Sequence, residues 1–152
     1  MCLIVDANVA ADFFRPDPPE EFAPLLKWLF TGKGSVNYGG RNAAELKRVR
    51  DAVRALSVLA QAGKAFHVPD ADVNREAVAL VKKAVCSSDD PHVIALARVG
   101  GARLLCSADR ELHTDFKNPR LIASPRGRVY QAANHARLLA RYGHTSACKM
   151  HD

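Results

Sequence analysis

The sequence predicts a three-layer α/β/α domain whose central parallel sheet has about four to five short strands. Short apolar stretches alternate with amphipathic helical patterns, as expected when strands are joined by helical crossovers. The chain has 152 residues, of which 48% are hydrophobic and 25% charged, as in one globular domain with its own core. Two apolar stretches end in an aspartate, which places acidic groups where parallel sheets bind ligands.

The individual elements follow from apolar spacing and from the glycines, prolines and polar caps that end each pattern. Leu25 and Leu29, for example, recur at helical spacing in a segment that stops at Gly32. Residues 121–130, interrupted by Pro125, are predicted to be irregular or a short strand pair. In chain order we predict strands at 2–6, 35–38, 66–68 and 102–106, and helices at 20–32, 42–63, 72–84, from 91 to the Gly100-Gly101 pair, and at 131–142.

Two helix starts carry strong polar signals. Asn42, with Glu45 three residues later, has the spacing of a capping box. In the stretch SSDDP, Ser or Asp can accept backbone N–H groups, and Pro91 suits the first helical position. Asp89 and Asp90 compete for this one cap, and the spacing to the small apolar residues that follow favours Asp90.

Composition and motifs exclude several classes of function. No apolar run reaches the roughly 18 residues of a membrane span and no signal-peptide pattern is present, so we expect a cytoplasmic protein without a membrane partner. The six histidines lack zinc-binding spacing and are expected to be solvated or to face a partner. The Gly-Gly pairs lack the Lys-Ser/Thr of a phosphate-binding loop, so no nucleotide cofactor is implied.

The net charge of +6 lies at the C-terminal end of the chain. Residues 1–115 hold fifteen Lys/Arg and fifteen Asp/Glu, whereas residues 116–152 hold seven Lys/Arg and one Asp. This asymmetry indicates either a polyanionic partner or a solvated basic helix. With RNA as the partner, the candidates for phosphate contacts are Arg126, Arg128, Arg137 and Arg141.

Three carboxylates are predicted to meet at one edge of the sheet. Asp6 and Asp109 follow apolar strands, and Asp90 begins the helix before the second of those strands. A buried carboxylate must be neutralised, paired or bound to a metal, and Asp6 has no Lys or Arg within eight residues. Oxygen ligands without His or Cys suit Mg²⁺ or Mn²⁺, and such ions activate water for phosphodiester hydrolysis.

Four acidic motifs together resemble those of PIN-domain nucleases in order and spacing. The similarity covers residues 2–118, and the stretch DPHVIALA is its most diagnostic part. One departure is Ala108, where the family more often has a polar residue before the fourth aspartate. The motifs are Asp6 in LIVDANV, Glu45 in AAELKRV, Asp90 in DDPHVIALARVGGARLL and Asp109 in CSADRELHTDF.

The resemblance implies a metal-dependent ribonuclease domain at 1–118, with 119–152 as a basic extension that packs on or continues the same domain. Many small members of the family are toxins of toxin–antitoxin pairs, which adds RNA, an antitoxin protein and a second copy of the chain as expected partners. The residues implied are Asp6, Asp90 and Asp109 as ligands of Mg²⁺ or Mn²⁺, Glu45 as a further ligand or the group that orients the attacking water, and Asn8, Ser107 and Asp115 as supporting residues.

Structural roles compete with this interpretation. Asp6 could be an ordinary turn residue, Glu45 only the distal half of the capping box, and Asp109 only the cap of a short helix at 110–113. Two other functions also stay open. One is a catalytically silent PIN-like module that binds RNA or protein. The other is a phosphatase of the haloacid-dehalogenase type, which would need a second Asp where Asn8 stands.

Overall fold

The computed structural model describes residues 2–131 and 137–139, in which the strands form one sheet. The strands are β1 (Cys2–Val5), β2 (Ser35–Tyr38), β3 (Ala65–His67), β4 (Leu104–Cys106) and β5 (Arg128–Val129). They are all parallel, in the order β3-β2-β1-β4-β5. The predicted fold class, with its parallel sheet between helical layers, is confirmed.

Helices separate consecutive strands in the described part of the chain. A short 3-10 helix spans Glu20–Phe22. Residues 137–139 are also helical. Among residues 2–131 and 137–139, no helix is long and apolar enough to span a bilayer. The α-helices are α1 (Ala7–Phe13), α2 (Ala23–Phe30), α3 (Gly40–Leu46), α4 (Arg50–Gln61), α5 (Asp70–Lys83), α6 (Pro91–Gly100) and α7 (Arg110–Lys117).

The central strand β1 is buried on both faces, because successive side chains of a strand point to opposite sides of the sheet. Leu3 and Val5 pack into one core with α1, α2 and α4. Cys2 and Ile4 pack into a second core with α5, α6 and α7. Since β1 pairs with β2 on one side and β4 on the other, its carboxyl end lies in the middle of the sheet edge.

The predicted helix 42–63 is interrupted and forms α3 and α4. The backbone N–H of Val49 donates to the carbonyl of Leu46 at 3.0 Å, which closes the last turn of α3. Val49 itself is extended, and α4 begins at the next residue. Leu46 and the apolar face of α4 reach the same core from two separate helices.

Asn42 is not a helix cap, so the predicted capping box is wrong. It lies inside α3, is fully buried, and its Nδ2 donates to the carbonyl of Val5 at 3.1 Å. Gly39 precedes the helix instead. The local preference of Asn for a cap yields here to a tertiary hydrogen bond with β1. Glu45 is thus free of the structural role that competed with a functional one.

Two helix starts also differ from the prediction. Helix α1 begins directly after Asp6 and ends at Phe13, whereas the sequence pattern predicts only a turn of helix at residues 12–14, before the proline-rich stretch. Helix α5 begins at Asp70 rather than at Asp72. The reason is a contact of Asp70 with α3: its Oδ1 accepts a hydrogen bond from Gly40 N at 2.7 Å.

Residues beyond 118 contribute to the sheet. Strand β5 lies in the stretch predicted to be irregular or a strand pair, and it adds to the edge of β4, with Val129 opposite Leu105. Leu139, in the helical residues 137–139, is buried in the core that contains Leu3. The rest of the predicted helix 131–142, except Gln131, lies outside the described residues.

Candidate functional site

Three aspartates stand at the starts of three helices. Asp6, Asp90 and Asp109 are the residues that precede α1, α6 and α7. Val5 and Cys106 are partners at the ends of β1 and β4, and Asp6 N donates to the carbonyl of Cys106 at 2.9 Å. Asp6 and Asp109 therefore leave the sheet side by side, at its carboxyl edge.

The hydroxyl of Ser107 connects two of these aspartates. Asp6 is buried, with 4% of its surface exposed, and its Oδ2 accepts a 2.7 Å hydrogen bond from Ser107 Oγ. The same oxygen of Ser107 accepts from the backbone N–H of Asp109 at 3.1 Å. Ser107 thus connects the carboxylate of Asp6 to the backbone of Asp109.

Asn8 joins the same group of contacts. Its Nδ2 donates to Ser107 Oγ at 3.5 Å, and its Oδ1 accepts from the backbone N–H of Ala108 at 3.4 Å. Both bonds are long, so each is weak. They link the first turn of α1 to the loop between β4 and α7, on either side of Asp6.

Asp109 caps α7, as its structural alternative predicted. Its Oδ1 accepts hydrogen bonds from Glu111 N at 2.9 Å and Leu112 N at 3.1 Å. The helix is longer than the predicted segment 110–113 and ends at Lys117. Both capping bonds go to one oxygen, so the cap does not exclude a ligand role for the other.

Asp90 lies within reach of the negative charges of Asp6, Glu45 and Asp109. Burial is the largest cause that raises the pKa of Asp90 to about 6, and the negative charges of Asp6, Asp109 and Glu45, with a side-chain hydrogen bond to Asp109, raise it further. The four predicted acidic residues therefore meet electrostatically, although they come from four separate elements. We call these four residues the carboxylate cluster. A cation bound among them would relieve this repulsion.

Glu45 is partly exposed on α3, with one oxygen engaged and one turned toward α6. Its Oε1 accepts a 2.9 Å hydrogen bond from Arg41 Nε, one helical turn earlier. Its Oε2 lies 3.7 Å from Nε2 of His92. The ion pair with Arg41 holds Glu45 at the edge of the cluster rather than in a cap.

His92 is the site residue that sequence reasoning missed, and the expectation of solvated histidines is wrong for it. Only 5% of its surface is exposed, and neither ring nitrogen has a hydrogen-bond partner in the described residues. Nδ1 lies 3.9 Å from Asp90 Oδ1. Burial is the main cause that lowers the pKa of His92, and the charge of Glu45 opposes it. The available signal was its position two residues after Asp90, on the first turn of α6.

Asp115 supports the site from outside the cluster. It is 2% exposed, and its two oxygens accept hydrogen bonds from Ser87 N and Ser88 N, each at 2.9 Å. Ser88 Oγ in turn accepts from Asp90 N at 3.3 Å. Asp115 therefore holds the loop that presents Asp90. Asp89, the residue before Asp90 in the sequence, is exposed.

The predicted arginine contacts are only partly described. Arg126 is exposed and its Nε donates to the carbonyl of Lys117 at 3.1 Å. Arg128 lies on β5, and Arg137 is exposed in the helical residues 137–139. Arg141 lies outside the described residues.

A groove of about 660 Å³ opens beside His92. Its apolar wall consists mainly of Ala77, Val78 and Val81 on α5. Arg41, next to Glu45, lines the same groove. The groove therefore runs from the surface of α5 to the edge of the carboxylate cluster, where the guanidinium of Arg41 lies.

The donor chemistry of the cluster fits a hard divalent cation, but the side chains are not gathered around one. The described residues contain no group of three or more His, Cys, Asp or Glu that could hold a metal ion as they stand. The negative charges of Asp6 and Asp109 nevertheless reach Asp90 and raise its pKa. Carboxylate oxygens are the ligands that Mg²⁺ and Mn²⁺ prefer, so the residue types of the cluster suit such an ion.

Comparisons of the sequence with protein-family models and with curated proteins find no match, and a comparison with solved structures finds none either.

Proposed function

We propose that the protein is a Mg²⁺- or Mn²⁺-dependent ribonuclease of the PIN-domain type, which hydrolyses phosphodiester bonds. The observation that supports this most is the convergence on Asp90 of three further carboxylates, from β1, α3 and the start of α7. Like-charged groups gathered at the carboxyl edge of a parallel sheet are costly to the fold, and such a cost is typical of functional sites.

Asp6, Asp90 and Asp109 are the proposed metal ligands, with Glu45 as a further ligand or as the group that orients the water. A bound ion would supply Lewis-acid activation of water and charge neutralisation at the phosphate. The protein's own contribution is to fix the ligands in advance: Ser107 holds Asp6, and the first turn of α7 holds Asp109.

Arg41 gives the proposed site a positively charged side chain that can bind a phosphate of the substrate. Its side chain is 63% exposed, and it lines the groove next to His92. A phosphate entering along this groove would meet the guanidinium of Arg41 before it meets the carboxylates. Guanidinium groups bind phosphate through paired, charge-assisted hydrogen bonds. The ion pair with Glu45 orients Arg41 for that contact.

The phosphatase alternative has less support. It would need a carboxylate two residues after Asp6, but this position holds Asn8, whose amide contacts Ser107 and Ala108. The silent binding module keeps the same fold and surface, and only an activity measurement separates it from a nuclease.

Cleavage of a short fluorescent RNA by the full chain tests the proposal. We expect cleavage with Mn²⁺ or Mg²⁺, none with EDTA, and a loss of about 100-fold or more in Asp6→Asn and Asp90→Asn. Asp89→Asn is the matched control, since it removes an exposed carboxylate beside Asp90. Cleavage that survives in both site variants would refute the proposal. RNA binding without cleavage by the unaltered chain would favour the silent module.

The proposal extends to a toxin role, with an antitoxin protein and a second copy of the chain as partners. Expression of the unaltered chain should then slow the growth of a bacterial host, while Asp6→Asn, expressed to the same level, should not. Equal growth with both chains would remove the toxin role and leave the nuclease proposal to the cleavage assay.

A further inference from the structure

His92 occupies a chemically unsatisfied position. It is 95% buried, since only 5% of its surface is exposed, and both ring nitrogens lack a hydrogen-bond partner in the described residues. Buried polar groups of native proteins are nearly always partnered, so an unpartnered pair of nitrogens calls for an explanation. Each nitrogen faces a carboxylate of the cluster: Nε2 faces Glu45 at 3.7 Å and Nδ1 faces Asp90 at 3.9 Å.

These two contacts cannot both be hydrogen bonds of a neutral imidazole. A neutral ring has one N–H and one lone pair, so only one nitrogen can donate to a carboxylate. The other nitrogen then turns its lone pair toward a carboxylate oxygen, which is repulsive. A cation between that nitrogen and the carboxylate removes the repulsion, because both groups become its ligands.

We propose that His92 is a ligand of the metal ion in the carboxylate cluster, through Nδ1 and beside Asp90. The inference rests on the metal site of the proposed function. In this arrangement Nε2–H donates to Glu45, which Arg41 already holds in place. A carboxylate that receives the second N–H of a ligating histidine is the usual way in which proteins orient such a ligand.

The separation of the facing atoms agrees with a shared ion. Two ligand atoms bound about 2.1–2.2 Å from one ion are roughly 3.0 Å apart when adjacent and roughly 4.3 Å apart when opposite. The 3.9 Å between His92 Nδ1 and Asp90 Oδ1 lies inside that range. The two atoms can therefore contact one ion at an angle between those two arrangements.

An imidazole ligand has a consequence for metal selectivity. Mg²⁺ strongly prefers oxygen ligands, whereas transition ions, including Mn²⁺, also accept imidazole nitrogen. A cluster of carboxylates alone would discriminate weakly between Mg²⁺ and Mn²⁺. With His92 in the ligand set, the site should bind Mn²⁺ more tightly than Mg²⁺.

Mn²⁺ binding to the full chain, without RNA, tests the inference. Titration followed by the EPR signal of free Mn²⁺ gives the affinity, and pulsed EPR detects nitrogen bound to the ion. We expect nitrogen coupling in the unaltered chain and its loss in His92→Leu, with Mn²⁺ affinity lower by at least about tenfold and Mg²⁺ affinity lower by a smaller factor. His67→Gln, which removes an exposed imidazole, is the matched control and should retain the coupling.

The possible outcomes separate this inference from the nuclease proposal. Tight Mn²⁺ binding without nitrogen coupling would refute the role of His92 and leave the carboxylate site standing. It would indicate instead an imidazolium that pairs with both carboxylates. Nitrogen coupling in a chain that does not cleave RNA would support His92 and refute the ribonuclease. If the unaltered chain binds no Mn²⁺, both fail. A circular dichroism spectrum confirms that His92→Leu is folded.

Discussion

Asp115 on α7 binds the backbone of Ser88, in the loop before α6, through a 2.9 Å hydrogen bond to a carboxylate that is 2% exposed. Its second oxygen accepts from Ser87 N at the same distance. The family resemblance implied that Asp115 is a supporting residue of the acidic site. Its contacts fix the loop that ends at Asp90.

Replacing Asp115 with Asn should therefore destabilise the fold. The amide has one accepting oxygen, so one of the two backbone N–H groups loses its partner inside the protein. The expected loss is about 1–3 kcal/mol in the free energy of unfolding, measured by urea denaturation. Asp72→Asn, which breaks an exposed pair with Arg75, should cost less than about 1 kcal/mol. Equal losses in the two variants would contradict the role of Asp115 in fixing the loop that ends at Asp90.

Replacing Asp90 with Asn should stabilise the metal-free protein. The pKa of about 6 means that the fold disfavours ionised Asp90 relative to the unfolded chain, because of burial and of the neighbouring carboxylates. In EDTA at pH 8 the variant should gain about 1–2 kcal/mol, after allowance for solvent screening. With saturating Mn²⁺ the order should reverse, since only the unaltered chain gains the binding energy of the ion.

A chemical denaturation series with and without Mn²⁺ measures both effects, with Asp89→Asn as the control. A variant that is less stable than the unaltered chain even in EDTA would show that repulsion in the cluster is unimportant.

Gly40 should tolerate no side chain. It has φ +55°, and an added Cβ would lie 2.8 Å from Val73 Cγ1. Gly40→Ala should therefore cost more than the roughly 1–2 kcal/mol expected of a left-handed alanine alone. Gly63→Ala provides the comparison, because Gly63 has φ +72° and nothing within 4 Å of its Cβ position. The difference in their unfolding free energies isolates the steric part, and a difference of zero would contradict it.

The stability of the protein should also depend on Asp70 at acidic pH. A hydrogen bond from His67 is the main cause that lowers the pKa of Asp70 below its usual value. Because the folded pKa is lower than the unfolded one, the ionised carboxylate stabilises the fold above about pH 4, and this is lost as the pH falls through the folded value.

Asp70→Asn keeps an oxygen for Gly40 N and removes only the charge. Since the side chain is 52% exposed, the variant should lose less than about 1 kcal/mol at pH 6. The difference from the unaltered chain should shrink toward zero as the pH falls below the lowered pKa of Asp70 in the folded state. Urea denaturation across this range is the measurement, and a difference that is constant with pH would count against the interaction.

Sequence patterns predicted an element correctly where the residues that determine it are neighbours in the sequence. The apolar run before Asp6 predicted β1, because a strand buried on both faces has no polar alternation. Asp6, Asp90 and Asp109 were selected in the same way, by their places at predicted strand and helix ends, whereas Glu45 entered only through the family resemblance. Asp90 is the residue that precedes α6 and that the charges of the other three carboxylates reach, whereas Asp89 is exposed.

The patterns failed where a distant contact decided the outcome. Asn42 has a strong preference for caps, but its hydrogen bond to Val5, 37 residues away, places it inside a helix. His92 was expected to be solvated or to face a partner, but the packing of α3 against α6 brings Glu45 to its ring. Such pairs leave no periodic trace in one sequence.

The position of β1 between β2 and β4 also bears on the synthesis of the chain. β1 is synthesised before the other strands of the sheet, but its neighbour β4 begins at Leu104, and the Ser107 hydroxyl that holds Asp6 comes later still. The nascent chain therefore carries Asp6 for about a hundred residues before the group that orients it exists. Whatever chemistry the cluster performs, a growing polypeptide on its own message has none of it until Ser107 and Asp109 have been added.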